Sequence, residues 1–408
     1  MRTRGPLRVF LGAFGQPGHA FPMLALGAKL VDRGHEVMLE TWRRWRAHVE
    51  AAGMRFAAAP EDPGLSGREE RLGPYETVAR SSAQTRQTMA DFGPHAVVHD
   101  ILTLAPAMAG ELEGLPVTTL IPHVYPAGDD GLPPYALGAR LPRTDLGRRL
   151  WRALNPLMEA GLRQGRAQLN ATRASLGLPP VARLHGGLSE RLCMVGSFPQ
   201  LEYPRRWPAA VRVVGPLMWE PPCREVEPPP GSEPLVLVAP STAQDPEHRL
   251  LRAALAGLAG EPVRVLATWN RNPLPAPVPV PANARLVDWV SYSQTMPQCA
   301  VVVCHAGHGT MVRALACGCP VVCAPHAGDM AENAARAAWA DVGVRLPWRF
   351  VTPGTVRLAV RRALSEPGFS ERARELAAWA GANDGAAVAA DLVEGLALSR
   401  RGAPARTR

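Results

Sequence analysis

The chain has 408 residues, 47% of them hydrophobic and 20% charged. Domains run to roughly 100–200 residues, so two are expected, and this balance excludes disordered, fibrous and multi-span membrane classes. The formal charge of +9 raises nucleic acid or phosphate-bearing ligands as partners, but of 45 basic residues only Lys29 is lysine and the arginines are scattered. With 42 prolines beside them, they read as the product of a GC-rich coding sequence, and nucleic-acid binding is not expected. No apolar run reaches the roughly 18 residues of a membrane span, and no secretory signal precedes the first strand-like run. Seven cysteines, five of them between Cys299 and Cys323 in a core-like stretch, suit reduced thiols in a cytoplasm.

Short β-branched runs alternate with helical patterns throughout, which implies parallel sheets built from βαβ units. Residues 7–11 form the first strand candidate, a Gly-rich turn follows, and Met23, Leu24, Leu26, Leu30 and Val31 recur at helical spacing after Pro22. Gly34 ends that helix before a strand at 35–39, and further strands are expected at 96–99 and 116–120. Residues 55–92 and 122–165 are irregular in pattern, although 150–169 also reads as amphipathic helix. A Pro-rich stretch over 220–231 then makes a semi-rigid linker. Beyond it, strands are expected at 235–238, 263–266, 285–287, 300–304 and 320–323, with 272–281 as a loop. The expected fold is therefore α/β, with two Rossmann-like domains over 1–219 and 234–385 joined by a linker over 220–233.

The sharpest chemical segment is Cys304-His305-Ala306-Gly307-His308-Gly309-Thr310-Met311, between an apolar strand and a helical pattern. Free N–H groups and the dipole at such a helix start favour a phosphate, and the glycines let it approach. Thr310 and His305 can each donate to a diphosphate oxygen. Neither an ATP P-loop nor a dinucleotide fingerprint is satisfied. Zinc is the weaker alternative, because Cys304, His305, His308, Cys317 and Cys319 lack the paired ligand spacing of structural sites. Steric need alone also explains glycines at such a turn.

This run, with Ala314–Val322, Pro325, Asp329, Glu332-Asn333-Ala334 and Gly343-Val344, closely resembles the donor signature of GT-B nucleotide-sugar glycosyltransferases. The resemblance is to bacterial antibiotic-type members of the UDP-glycosyltransferase superfamily. It implies two domains facing across a cleft and inverting transfer by direct displacement. It also implies that His305, Gly307, Gly309 and Thr310 hold the donor diphosphate with Ser241 and Thr242, that Trp289 and Val290 lie along the nucleobase, and that Asp329 and Met330 meet the donor sugar. Gly15–Pro22 resembles the family's Gly-His-x-x-Pro element, whose His is the general base. That role falls on His19, with Asp100 as the carboxylate that orients it and stabilises its imidazolium. Helix capping is the bland reading of both residues. Strand alternation points His99 to the opposite face.

Two departures bear on the donor. Met330 stands where the family usually has Gln, and Arg313 where many members have a Glu that binds the ribose hydroxyls. Both suit a less hydroxylated donor, a dTDP-deoxysugar favoured over a UDP-sugar, unless other side chains fill the gaps. No cofactor is expected, and no Asp-x-Asp motif suggests a metal. The acceptor is expected to be a polyketide-like or other hydrophobic natural product. Candidates to meet it are Phe56, Tyr75, Met89, Phe92, His123, Tyr125, Tyr135, Trp151 and Met158, with core packing as the alternative for each. The resemblance implies that residues 386–408 return to the first domain as a helix and end in a disordered basic tail, and it is compatible with a homodimer. A non-catalytic GT-B-like partner of another enzyme is the alternative function. A UDP-sugar epimerase is disfavoured because no cluster of carboxylates is found.

Overall fold

The computed structural model describes residues 5–60, 75–242 and 244–401. The first half alternates strand and helix: β1 Arg8–Gly12, α1 Pro17–Asp32, β2 Glu36–Thr41, α2 Arg46–Ala51, β3 Arg55–Ala58 and α3 Glu76–Phe92. It continues with β4 Ala96–Asp100, α4 Leu104–Leu112, β5 Val117–Ile121, α5 Asp145–Ser175, β6 Cys193–Val195 and β7 Val211–Val213. All seven strands are parallel, in the order β3-β2-β1-β4-β5-β6-β7. The second half holds β8 Leu235–Ala239, α6 Arg249–Leu258, β9 Arg264–Thr268, β10 Ala284–Val287, α7 Tyr292–Thr295, β11 Val301–Cys304 and α8 His308–Ala316. After these come β12 Val321–Cys323, α9 Met330–Trp339, β13 Gly343–Arg345, α10 Pro353–Ser365, α11 Pro367–Ala382 and α12 Gly385–Arg401. Its six parallel strands run β10-β9-β8-β11-β12-β13.

Central strands such as β8 are buried along their whole length, as the apolar run Leu235-Val236-Leu237-Val238-Ala239 requires of a parallel sheet covered on both faces. Each sheet reverses direction once, between β1 and β4 and between β8 and β11. Loops on either side of such a reversal diverge, leaving a crevice at the carboxyl ends of the strands where ligands bind.

The chain crosses back to its start. Ala386, Ala389, Ala390, Val393 and Ala397 of α12 join the core of the first sheet, and Lys29 of α1 and Arg33 just beyond it pair with Asp384 and Asp391 at 2.8 and 2.7 Å. The helical part of 386–408 reaches Arg401 at the end of α12, and 402–408, where the disordered tail is expected, lie outside the described residues. Between the halves, Val124, Phe198 and Leu201 enter the core of the second sheet. Arg336 of α9 is buried there between Glu332 at 2.8 Å and Glu202 at 3.3 Å.

Irregularity over 55–92 is a misreading. β3 and α3 occupy most of it, and residues 61–74 lie outside the described residues. The inward face of α3 is built from Ser81, Ser82 and Thr85 before Met89 and Phe92, so apolar periodicity could not reveal it. Thr85 instead bonds the buried Glu40 carboxylate at 3.0 Å. Likewise the second half of 122–165 belongs to the long helix α5, capped by Thr144.

Candidate active site

β1 and β4 lie side by side, with Gly12 opposite His99, so the helix after β1 and the last residue of β4 emerge at one edge. α1 carries His19 in its first turn, and His19 Nδ1 stands 2.8 Å from Asp100 Oδ2. Asp100 is wholly buried while 18% of the His19 side chain stays exposed. The second carboxylate oxygen accepts the Leu102 N–H at 2.8 Å, which fixes the group. A carboxylate can only accept, so Nδ1 carries the proton and the neutral ring keeps a lone pair on Nε2. Burial works against the imidazolium, but the charge and hydrogen bond of Asp100, with the charge of Asp329 behind them, lift the His19 pKa above the ordinary imidazole value. His99, on the other face of β4, bonds Thr119 Oγ1 at 2.7 Å.

At the second reversal, Ala239 of β8 lies opposite Cys304 of β11. Ser241 is buried and accepts the Gln244 N–H at 2.9 Å, and Thr242 is exposed. After β11 the chain turns through Ala306, which takes the left-handed φ of 65° that L-residues seldom adopt. Gly307 then caps α8 without a side-chain bond, leaving the first-turn N–H groups open to an anion. A Cβ at Gly307 would run into His305 Nε2, so a larger residue there would push that ring off the turn. Gly309 faces open space. Burial pushes the His305 and His308 pKa values down to about 4. His308 Nε2 donates to the Gly196 carbonyl beyond β6 at 3.2 Å, tying α8 to the first half.

A cavity of about 160 Å³ lies between the two helix starts. Gly18, Phe21 and Pro22 of α1 face Thr242, Trp289, Tyr292, His305, Gly307, Gly309 and Thr310 across it. Trp289 stacks on Tyr292 with centroids 6.2 Å apart, and the Arg271 guanidinium sits 4.8 Å from the Trp289 ring. Val290 does not join this wall with its side chain, which is 1% exposed and packs in the core. Asp329 precedes α9, accepts from Asn333 Nδ2 at 3.0 Å, and its charge is felt at His19, His123, Tyr135 and His305. Met330 is half-buried against the same core. Cys304, His305 and His308 do not converge, because Cys304 is buried in the sheet and each histidine bonds a different carbonyl. Among the described residues no three His, Cys, Asp or Glu side chains are grouped to hold a metal ion.

Residues 251–394 match the family model of the erythromycin biosynthesis protein CIII-like C-terminal domain. Over 95% of its length the chain is 30% identical to the 4'-demethylrebeccamycin synthase of Lentzea aerocolonigenes, covering 99% of that protein. It is also 30% identical to the O-mycaminosyltylonolide 6-deoxyallosyltransferase of Streptomyces fradiae, over 97% of this chain and 98% of the other. The chain belongs to the antibiotic-type GT-B glycosyltransferases. Its fold agrees with that of the kitacinnamycin glycotransferase, with a TM-score of 0.75 over 96% of this chain and 99% of the other at 21% identity.

Within this glycosyltransferase the sequence departures have visible consequences. Arg313 pairs with Glu220 at 3.3 Å and donates to the Trp219 carbonyl at 2.9 Å. Glu220, read from sequence only as linker, accepts from Ser291 Oγ at 2.7 Å and Tyr292 N at 3.1 Å, capping α7 beside the cavity. Asn270, likewise unremarked, bonds the Pro240 carbonyl and Tyr292 Oη. No local motif signals either residue, since each acts through a partner distant in sequence.

The acceptor candidates divide. Met89 and Phe92 are core, Phe56 packs against core, Tyr75 joins a small cluster under α5, and Tyr125 is buried beside Trp207. Trp151 is half-buried on α5, and the Met158 side chain lies outside the described residues. His123 and Tyr135 reach the cleft, with the His123 ring 6.4 Å from that of His19. No helix among the described residues is long and apolar enough to cross a membrane.

Proposed function

We propose that the enzyme moves a sugar from a nucleoside diphosphate to a hydrophobic natural-product hydroxyl with inversion, by a single displacement. His19 Nε2 takes the acceptor proton, and Asp100 holds the ring in the productive tautomer and offsets the charge it gains. The leaving diphosphate goes to the first turn of α8, where Gly307, Gly309 and Thr310 present donors and the helix dipole opposes the growing negative charge without a required metal. Ser241 shapes the turn that presents Thr242, Trp289 stacks along the base, and Asp329 accepts from sugar hydroxyls. The observation that carries this reading is the His19–Asp100 pair at 2.8 Å, beside a cavity whose far wall is the uncapped start of α8.

A dTDP-linked deoxysugar is the favoured donor. Met330 offers no hydrogen bond to a sugar hydroxyl. Arg313, bound to Glu220, offers no acceptor for a ribose 2'-hydroxyl, which dTDP lacks. The relative from Streptomyces fradiae is named for transfer of a 6-deoxy sugar. Incubation with a panel of labelled donors and an aglycone library, alongside His19→Ala, tests both parts. Equal turnover by the two proteins would remove the base, and clear preference for UDP-glucose over dTDP-deoxyhexoses would remove the donor reading.

A further inference from the structure

His19 has a second imidazole beside it. The chain leaves β5 through Pro122 and brings His123 to the cleft, its ring 6.4 Å from that of His19 and inclined at 81°. Unlike His19 it has no carboxylate partner among the described residues. Its Nδ1 lies 2.8 Å from the Val124 carbonyl and 3.1 Å from Tyr135 Oη. A carbonyl has no hydrogen to give whereas a phenol can accept, so the proton belongs on Nδ1 and Nε2 holds a lone pair. No hydrogen bond to that Nε2 occurs among the described residues, and it is not among the sealed, partnerless polar atoms. Tyr135 stacks on the ring at 5.6 Å and 25°, which fixes its plane.

Electrostatics keep the two rings in different states. Burial lowers the His123 pKa, the Asp329 charge opposes this only in part, and a charged His19 lowers it further. His123 is therefore a neutral hydrogen-bond acceptor when His19 takes up a proton. It is the weaker base of the two for the nucleophile's proton, and it has no hydrogen to offer a phosphate or a sugar oxygen from Nε2. What it can bind is a donor, meaning an O–H or N–H held close to the oxygen that His19 activates.

We propose that His123, steadied by Tyr135, is a specificity-determining residue of the acceptor site. It selects aglycones that carry a second hydroxyl or N–H next to the hydroxyl being glycosylated. This rests on the assignment of His19 as the base, since that places the nucleophile between the rings. A site built around a lone pair loses a ligand hydrogen bond when the second donor is missing, and the unpaired acceptor then disfavours the analogue. Orientation is also gained, because two bonds from one rigid ligand fix which hydroxyl faces His19.

Two flat phenols, 2,3-dihydroxyanthraquinone and 2-hydroxyanthraquinone, differ by one adjacent hydroxyl that no ring carbonyl ties up, and serve as probes. Their dissociation constants are measured on dTDP-saturated enzyme for the unaltered protein, His123→Leu and His123→Gln, with dTDP affinity as the check that each variant is folded. The unaltered protein is expected to favour the diol by ~10-fold. His123→Leu should abolish that preference by weakening the diol alone, and His123→Gln, which retains an acceptor oxygen, should keep part of it. Equal affinity for both phenols in the unaltered protein, or an undiminished preference in His123→Leu, would overturn the proposal. Transfer is scored separately: turnover unchanged in His19→Ala would count against the base while leaving the binding comparison intact.

Discussion

Arg313 of α8 and Glu220 of the linker form an ion pair 3.3 Å long in the wall of the cavity between the two domains. The family's Glu position thus holds a cation, and a carboxylate arrives from the linker instead. Glu220 is already committed to Ser291, Tyr292, Ser293 and Arg313, so it supports the cavity rather than standing open to a ribose. Arg313→Glu alone places two carboxylates together and is expected to lower Tm more than Arg313→Gln does. In combination with Glu220→Gln, which keeps an oxygen for Ser291, the repulsion is removed and a free carboxylate is restored on α8. The double variant should gain affinity for UDP over dTDP by ~10-fold, the worth of one hydrogen bond to a charged group. Titration calorimetry with the two nucleotides measures it.

The His19 pair makes a prediction about pH. A general base must be neutral to accept a proton, so kcat/KM rises as pH rises through the His19 pKa. Because Asp100 lifts that pKa, the acid limb should lie above the ordinary imidazole value. Asp100→Asn removes the charge that supports the imidazolium, so the limb should move to lower pH while the plateau falls by roughly 10²–10⁴-fold. A plateau loss without movement of the limb would mean that Asp100 acts on the fold rather than on the base.

Glycines 307 and 309 separate packing from binding. Alanine at 307 drives its methyl into the His305 ring, whereas alanine at 309 meets nothing within 4 Å. Gly307→Ala should therefore cost about 1–3 kcal/mol of stability and displace His305. Gly309→Ala should stabilise α8 by up to about 1 kcal/mol through helix propensity. Yet both should raise the donor KM, the first by moving His305 and the second by crowding the turn from the open side. Thermal unfolding and donor saturation curves on the two variants check the opposite signs in stability and the shared sign in KM.

How legible the molecule was depended on whether a feature is local. Strands such as β8 and β11 show themselves as unbroken apolar runs, and the turn at His305–Thr310 is one continuous segment. Of the four three-residue strands, β12 shows through its consecutive valines, whereas β6, β7 and β13 are too short to carry a period and have no such pair, and α3 hides because Ser and Thr make up most of its buried face. In the candidate site, His19 opens a helix and Asp100 closes a strand, places that the βα rhythm marks, while their roles come from the family resemblance. Val290, by contrast, turns its side chain into the core, and Glu220 gains its role only when the linker folds against Ser291 and Arg313. The meaning of Arg313 could not be read without that partner.

The buried trio of Glu202, Arg336 and Glu332 lies between the first half and α9, the helix that begins beside Asp329. All three side chains are at most 3% exposed, and the Arg336 guanidinium also lies 3.5 Å from the Tyr203 ring centroid. Removing the arginine leaves two carboxylates with no cation between them, so Arg336→Ala should cost about 3–5 kcal/mol. Burial already raises the Glu202 pKa against the opposing pull of Arg336, and without Arg336 it must rise further. A carboxyl whose folded pKa exceeds its unfolded one stabilises the fold when protonated, and loses that contribution as pH rises through the folded pKa. The defect in Arg336→Ala should accordingly be smaller at pH 5 than at pH 8, and Glu202→Gln with Glu332→Gln added should recover much of it. Urea unfolding at the two pH values measures the difference. A pH-independent loss would assign the effect to the vacated space over Tyr203 instead of to unpaired charge.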